Sequence, residues 1–271
     1  MWNPVDRVIV GGYRFLLCDK LPLDEHGQVD TPTSELFHYS ERFVKEYLPD
    51  TIELGRSFVQ PAYQPTKSLS KGLYSLDNLW DGLVAIIMKN PNLLYYFGKI
   101  TLYPSYDHIM RDLTYHFLWK HFGDKDELVR PWDDQAIMPA SDPELMNLIV
   151  HQDDLLEDYK LLKAAARMRG VNIPPNMTAY ISITSQMLMF GTAVNHLMHN
   201  IEDTSVLIPF DAIYHDKKTR HIGAYLRFLN SRRRQNEVPN FMDIEEEMIE
   251  NWLITRNRKV KRMLKKAGRT F

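Results

Sequence analysis

Glu53 lies within Thr51 to Tyr63, TIELGRSFVQPAY, a run of β-branched and aromatic residues that reads as a strand carrying a carboxylate. A polar stretch containing Ser70, Lys71 and Gly72 follows, and the amphipathic run Ser75 to Met88 comes next. Free amides and the dipole at a helix N-terminus favour an anion. A strand acid, a donor-rich loop and a helix start, in that order, suit a phosphate-bearing carrier lying beside a general base.

The elements that must position this carboxylate read as follows. Arg7 to Leu17, RVIVGGYRFLL, predicts a hairpin turning at Gly11-Gly12. Asp19 to Ser34 is polar, with Pro22, Gly27 and Pro32, and reads as a loop. A short helix is expected over Ser34 to Tyr47, then a strand over Ile52 to Val59. Leu76, Leu79, Trp80, Leu83, Ile86 and Ile87 recur at helical spacing behind Ser75 as N-cap, and that helix stops near Pro91. Tyr95 to Tyr103, YYFGKITLY, is the expected central strand. Tyr106 to Phe122 returns to a helical period and ends at Gly123. Asp124 to Pro143 reads as irregular, within an insertion over about 124–152. Asp153 to Arg169 predicts a helix closed by Gly170, which Pro174-Pro175 prevents from continuing. Short strands are expected at Ala179 to Ile183 and Ser205 to Pro209, and helices at Asp216 to Arg233 and Asp243 to Lys266. Alternating strands and helices predict an α/β sandwich rather than a helical bundle.

At 271 residues the chain can bury a sizeable core, and its composition is that of an ordinary globular protein. No apolar run approaches the roughly 20 residues a bilayer span needs. The start, MWNPVDRVIVGG, has no basic segment followed by an apolar stretch, so the expectation is a cytoplasmic protein without a signal peptide. Cys18, the single cysteine, predicts a buried strand thiol rather than a nucleophile, and excludes an internal disulfide. The net charge of −2 conceals an acidic block, Asp243, Glu245, Glu246, Glu247 and Glu250, before a basic stretch from Arg256 to Arg269. That stretch reads either as a solvated helix or as a surface for an acidic carrier protein or an anionic membrane. No aromatic stacking set or recognition motif points to nucleic acid. His196 and His199 lack a third ligand, so no metal is expected. Met187, Met189 and Met198 read as core or as the lining of an acyl pocket. His121 and Asp126 have the His-x4-Asp spacing of glycerolipid O-acyltransferases, which remains an alternative without a downstream FPEG-like segment to support it.

GGYRF at Gly11 to Phe15, ELGRSFVQP at Glu53 to Pro61, KGLYSLDNLWDGL at Lys71 to Leu83 and FGKITLYPSY at Phe97 to Tyr106 form an ordered set. DYKLLK at Asp158 to Lys163 and NIPP at Asn172 to Pro175 extend it over most of the chain. The set resembles the glycine-lipid N-acyltransferases of Bacteroidetes. More distantly, the ELGR strand resembles the ornithine-lipid N-acyltransferases, hemolysin-like members of the GNAT superfamily that are similar in turn to acyl-homoserine-lactone synthases.

The resemblance implies a GNAT-like α/β fold: a mixed, mostly antiparallel central sheet flanked by helices, lacking the first strand and helices of a full GNAT domain. It implies an acyltransferase domain over 1–235 and a C-terminal helix over 236–271. The implied activity is transfer of a fatty acyl chain, 3-hydroxylated or not, to the amine of glycine or a similar amino acid, giving an aminolipid precursor. Glu53 would take the amine proton; the alternative is a solvated strand Glu paired with Arg56. Arg56 would orient an acceptor carboxylate or form an ion pair at the sheet edge, and a bulge would set which face it takes. Tyr103 or Tyr106 would protonate the leaving thiolate or pack at a strand end. Backbone at Phe58 and Val59 would polarise the thioester, and Ser70, Lys71, Gly72 and Ser75 would meet the donor's phosphate. The stretch from Gln64 to Ser75 is longer than the superfamily's phosphate loop and holds one glycine. That favours the phosphopantetheine of acyl carrier protein over coenzyme A as donor, with no resident cofactor. A non-catalytic module binding a carrier protein or a membrane surface is the alternative from another class.

Overall fold

The computed structural model describes residues 1–25, 27–64 and 75–234. Ser70, Lys71 and Gly72, and the expected C-terminal helix, lie outside these residues. The chain divides into two compact units. One takes Met1–Arg14, Arg56–Leu93 and the chain from Tyr214 on; the other takes Phe15–Gly55 and Leu94–Ile213.

In the first unit, strands β1 (Trp2–Asn3) and β2 (Val8–Ile9) pair antiparallel. Asn3 Oδ1 accepts the amides of Val5 and Asp6 to make the turn between them. Strand β3 (Gly11–Leu17) then begins at the two glycines that the sequence assigns to a turn. They serve close approach instead. A Cβ on Gly11 would stand 2.6 Å from the Phe58 carbonyl oxygen, and Val10 O accepts the Gln60 amide at 2.8 Å. The amphipathic run forms helix α2 (Ser75–Lys89), following α1 of the other unit (Glu41–Glu46). The last described helix, which we label α7 (His215–Arg234), packs against α2, where the His221 ring accepts or donates a 2.7 Å hydrogen bond with Asp81.

The second unit holds most of a five-stranded sheet ordered β3-β5-β6-β9-β8, with β5 at Thr51–Val59, β6 at Tyr95–Leu102, β8 at Leu188–Asn195 and β9 at Ile201–Pro209. Of β3 and β5, Phe15–Leu17 and Thr51–Gly55 belong here. β5 and β6 are parallel, and β6–β9 and β9–β8 antiparallel. The sheet is thus mixed and mostly antiparallel, flanked by helices in the GNAT-like manner, with β6 as the central strand the sequence predicts.

The second unit's helices follow their capping residues. Ser40 Oγ accepts the Phe43 amide at the start of α1, which is shorter than expected because β4 (Phe37–Tyr39) takes the preceding residues. Asp107 caps α3 (His108–Phe122), and Asp154 caps α5 (Leu155–Met168). The stretch after Gly123 is less irregular than the sequence suggests. It contains β7 (Val129–Pro131), paired antiparallel with β4, and α4 (Pro143–Ile149). Buried Asp112 accepts the amides of Ala140 and Ser141 and so ties this stretch to α3.

At Ala179 to Ile183 a strand is expected and a helix is found, α6 (Pro175–Ile183). Pro175 occupies the first turn, where proline's fixed φ and missing donor start a helix as readily as they end the previous one. Strand β8 is not among the strands expected from the sequence, and its apolar run is broken by Gly191. That residue, at φ +96° against Pro131, sits in the register shift between Met189 and Thr192.

The core of this unit gathers Phe37, Tyr39, Phe43, Tyr47, Phe97, Phe190, Ala193 and Leu207. Phe43 meets Phe97 at 5.5 Å and Phe190 at 6.0 Å between ring centroids. Each such ring contributes about 2–3 kcal/mol by leaving water.

Candidate active site

The parallel ladder between β5 and β6 is short. It pairs Thr51 with Tyr95, Ile52 with Tyr96 and Glu53 with Phe97, and ends there, while β6 runs on to Leu102 against β9 alone. Glu53 is therefore the last β5 residue held by β6. Beyond it, the Lys99 carbonyl accepts a 3.0 Å hydrogen bond from Asn176 Nδ2 of α6 instead of a strand amide.

Glu53 is 4% exposed, so it is not the solvated strand carboxylate of the alternative reading. Its Oε1 accepts from Thr33 Oγ1 at 2.7 Å. Tyr39, also buried, shares a 2.8 Å hydrogen bond with Thr31 Oγ1. Burial and then the Glu53 charge raise the Tyr39 phenol well above its usual range. Burial, with a further push from Glu53, raises the Cys18 thiol to about 12. Cys18 is thus the buried thiol the sequence predicts, although it opens a single 3-10 turn over Cys18–Lys20 just past the end of β3 instead of lying in the strand.

Residues with the same facing as Glu53 continue along β6 and β9. Lys99 stands opposite Ser205, and Thr101 opposite Asp203. Lys99 Nζ donates to the Pro32 carbonyl at 3.2 Å and lies 3.9 Å from Asp203 Oδ2. Asp203 is held by Thr101 Oγ1 at 2.6 Å and by Asn195 Nδ2 at 3.5 Å. Ser205 is fully buried, and its hydroxyl has no hydrogen-bond partner among the described residues.

The other expected site residues fall elsewhere. Arg56, three residues past Glu53, is exposed at φ +55°, a left-handed conformation costing a non-glycine residue about 1–2 kcal/mol. It breaks the alternation of β5 as the expected bulge would. Phe58 is exposed with its ring edge near Gly12, and the Val59 carbonyl accepts from Gln64 Nε2 at 2.9 Å. Ser75 is the first residue of α2. Tyr103 is exposed, and Tyr106 donates its hydroxyl to the Asn172 carbonyl at 3.0 Å, its phenol pKa raised by burial. His121 is bonded to Asp158 at 2.8 Å and Asp126 to Arg42 at 3.0 Å, so the His-x4-Asp spacing does not make a pair. No described group of His, Cys, Asp and Glu is placed to hold a metal ion, and no described helix is long and apolar enough to cross a membrane.

Sequence reasoning names Glu53 as a candidate but not Thr33, which bonds to it, nor Lys99, Ser205 and Asp203, which follow on the same face. The available signal was polar residues at period two, Lys99 and Thr101 in one strand and Asp203 and Ser205 in its neighbour, inside otherwise apolar runs.

A GNAT-like sheet with a buried acid where two parallel strands part company defines the class of fold. Two curated proteins refine it. The chain is 49% identical over 226 residues to the glycine N(alpha)-acyltransferase of Bacteroides thetaiotaomicron, a match covering 83% of this chain and 66% of that protein. It is 47% identical over 227 residues to the glycine N(alpha)-acyltransferase of Phocaeicola vulgatus, covering 84% and 69%. The chain belongs to this N-acyltransferase family and spans about two thirds of the length of these relatives. No family model matches it, and no solved structure matches it.

Proposed function

We propose that the protein is an N-acyltransferase that moves a fatty acyl chain, 3-hydroxylated or not, from acyl carrier protein to the amine of glycine, giving an N-acyl amino acid that serves as a lipid precursor. The observation that carries the reading is the identity of 47% to 49% to two glycine N(alpha)-acyltransferases, over a stretch that includes most of the chain.

In this reading the amine nitrogen attacks the thioester carbonyl, the C–N bond forms and the C–S bond breaks. Glu53 receives the amine proton, directly or through a water. Its burial and the Thr33 hydroxyl that holds Oε1 support the assignment, because they fix the carboxylate in one position at the end of the β5–β6 ladder. Tyr106 is the candidate to protonate the departing thiolate. Phe58 and Val59 belong to the donor side, as do Ser75 and the undescribed Ser70, Lys71 and Gly72, with Arg56 on the same strand. The protein works in the cytoplasm, peripheral on the inner membrane surface.

The test is mass spectrometry of lipids from cells expressing the chain. N-acylglycine should accumulate with the wild type and fall to background with Glu53→Gln. A folded wild-type protein that leaves the lipid profile unchanged removes the reading. The near-complete burial of Glu53 favours a second reading, a binding module without turnover. In that case both proteins bind acyl carrier protein equally and neither makes product.

A further inference from the structure

Two consecutive residues of one loop engage the two charged side chains of the polar strip. The Pro32 carbonyl presents an acceptor to Lys99, and the Thr33 hydroxyl presents a donor to Glu53. Acceptor and donor, a few covalent bonds apart, are the same two functions that an α-amino acid offers through its carboxylate and its ammonium group. Glu53 pairs with Phe97, and Lys99 is two residues further along β6 on the same face, about 7 Å away along the strand.

Two further observations point to a ligand at the Lys99 end. Asp203 does not saturate the ammonium group, because its Oδ2 stands 3.9 Å from Lys99 Nζ, beyond hydrogen-bond distance. Beside Lys99, the Ser205 hydroxyl is fully buried with no partner among the described residues, a cost that a carboxylate oxygen arriving there would remove. Lys99, with its side chain 18% exposed, is partly open to solvent, as is Thr101.

We propose that Glu53 and Lys99 together hold the acceptor amino acid as its zwitterion, Glu53 at the amine and Lys99, helped by Ser205, at the carboxylate, in place of the Thr33 hydroxyl and Pro32 carbonyl that engage them here. The proposal rests on the acyltransferase reading and deepens it. It gives the carboxylate to Lys99 and not to Arg56, which is exposed on a different stretch of β5. Transfer needs the ammonium group to lose two protons in all, one to solvent before attack and one to Glu53 as the C–N bond forms. Lys99 takes no part in either step and acts only as a specificity residue.

The full chain is assayed with a long-chain acyl-acyl carrier protein and with glycine or glycinamide, compared at equal concentration of unprotonated amine. Wild type should favour glycine by roughly 10- to 100-fold in kcat/KM. Lys99→Gln should bring the ratio close to one, chiefly through KM for glycine, and Lys99→Arg should restore most of the preference. Wild type that accepts glycinamide equally well overturns the proposal without reference to any variant's folding. So does loss of the preference in Arg56→Gln but not in Lys99→Gln. If wild type acylates neither amine, the acyltransferase reading fails, and calorimetry then decides the clamp by itself: glycine binding that Lys99→Gln abolishes supports it, and no glycine binding by wild type overturns it.

Discussion

One face of the sheet in the second unit changes character halfway along its strands. At one end Phe97 faces Leu207 across the β6–β9 ladder and joins Phe43, Phe190 and Ala193 in the core. Two residues on, Lys99 faces Ser205, and two further Thr101 faces Asp203. The backbone is the same, an unbroken antiparallel register, so geometry does not separate the two ends. Side-chain chemistry does. The apolar end contributes stability through its burial, whereas the polar end buries an acid and a hydroxyl and covers most of a lysine at a stability cost that a packed core would not incur. Glu53 stands at the seam, paired in register with the last aromatic residue of the apolar end.

Three substitutions sharpen or break this contrast. The largest effect is expected from Glu53→Gln. Turnover should fall by about 10²- to 10⁴-fold, with the midpoint of urea unfolding unchanged or raised, since a neutral isostere removes a buried carboxylate. A variant that keeps full turnover, or that unfolds, places Glu53 with the core instead. Phe97→Ala, one ladder step away, should do the reverse and cost about 3–5 kcal/mol in denaturant unfolding through the cavity it opens. A loss below about 1 kcal/mol would mean that the seam lies elsewhere. Smallest is Ser205→Ala, for which we expect stability to hold or rise by up to about 1 kcal/mol, because a buried hydroxyl without a described partner is removed. Its KM for glycine should rise severalfold. A clear loss of stability would assign Ser205 to the packing.

Much of this architecture is legible in the residues. The periodicity of Ser75 to Lys89, His108 to Phe122 and Leu155 to Met168 locates three helices within a residue or two, and YYFGKITL is the central strand it looks to be. The errors have local causes. Gly11-Gly12 reads as a turn because glycine's two uses, reversing a chain and admitting a neighbouring backbone, look alike in sequence. Pro174-Pro175 reads only as a stop, although the second proline is also the first residue of α6. For the site, Glu53 is found through the motif that contains it. Its partner Thr33 comes from a loop twenty residues earlier, and nothing local to either residue marks their meeting. Lys99 is hidden differently, since a lysine in a strand ordinarily points freely to water, and only the strand order reveals that this one is mostly covered beside Ser205.

The adjacency of Pro32 and Thr33 also bears on how this chain can diverge. Surface loops commonly tolerate insertions and deletions, but here one peptide unit serves two fixed points on a sheet. Adding or removing a single residue between Thr31 and Ser34 would put one of the two groups out of register with its charge. Length variation among descendants of this protein should therefore accumulate around the Asp24 to Gln28 turn and stop short of Thr31.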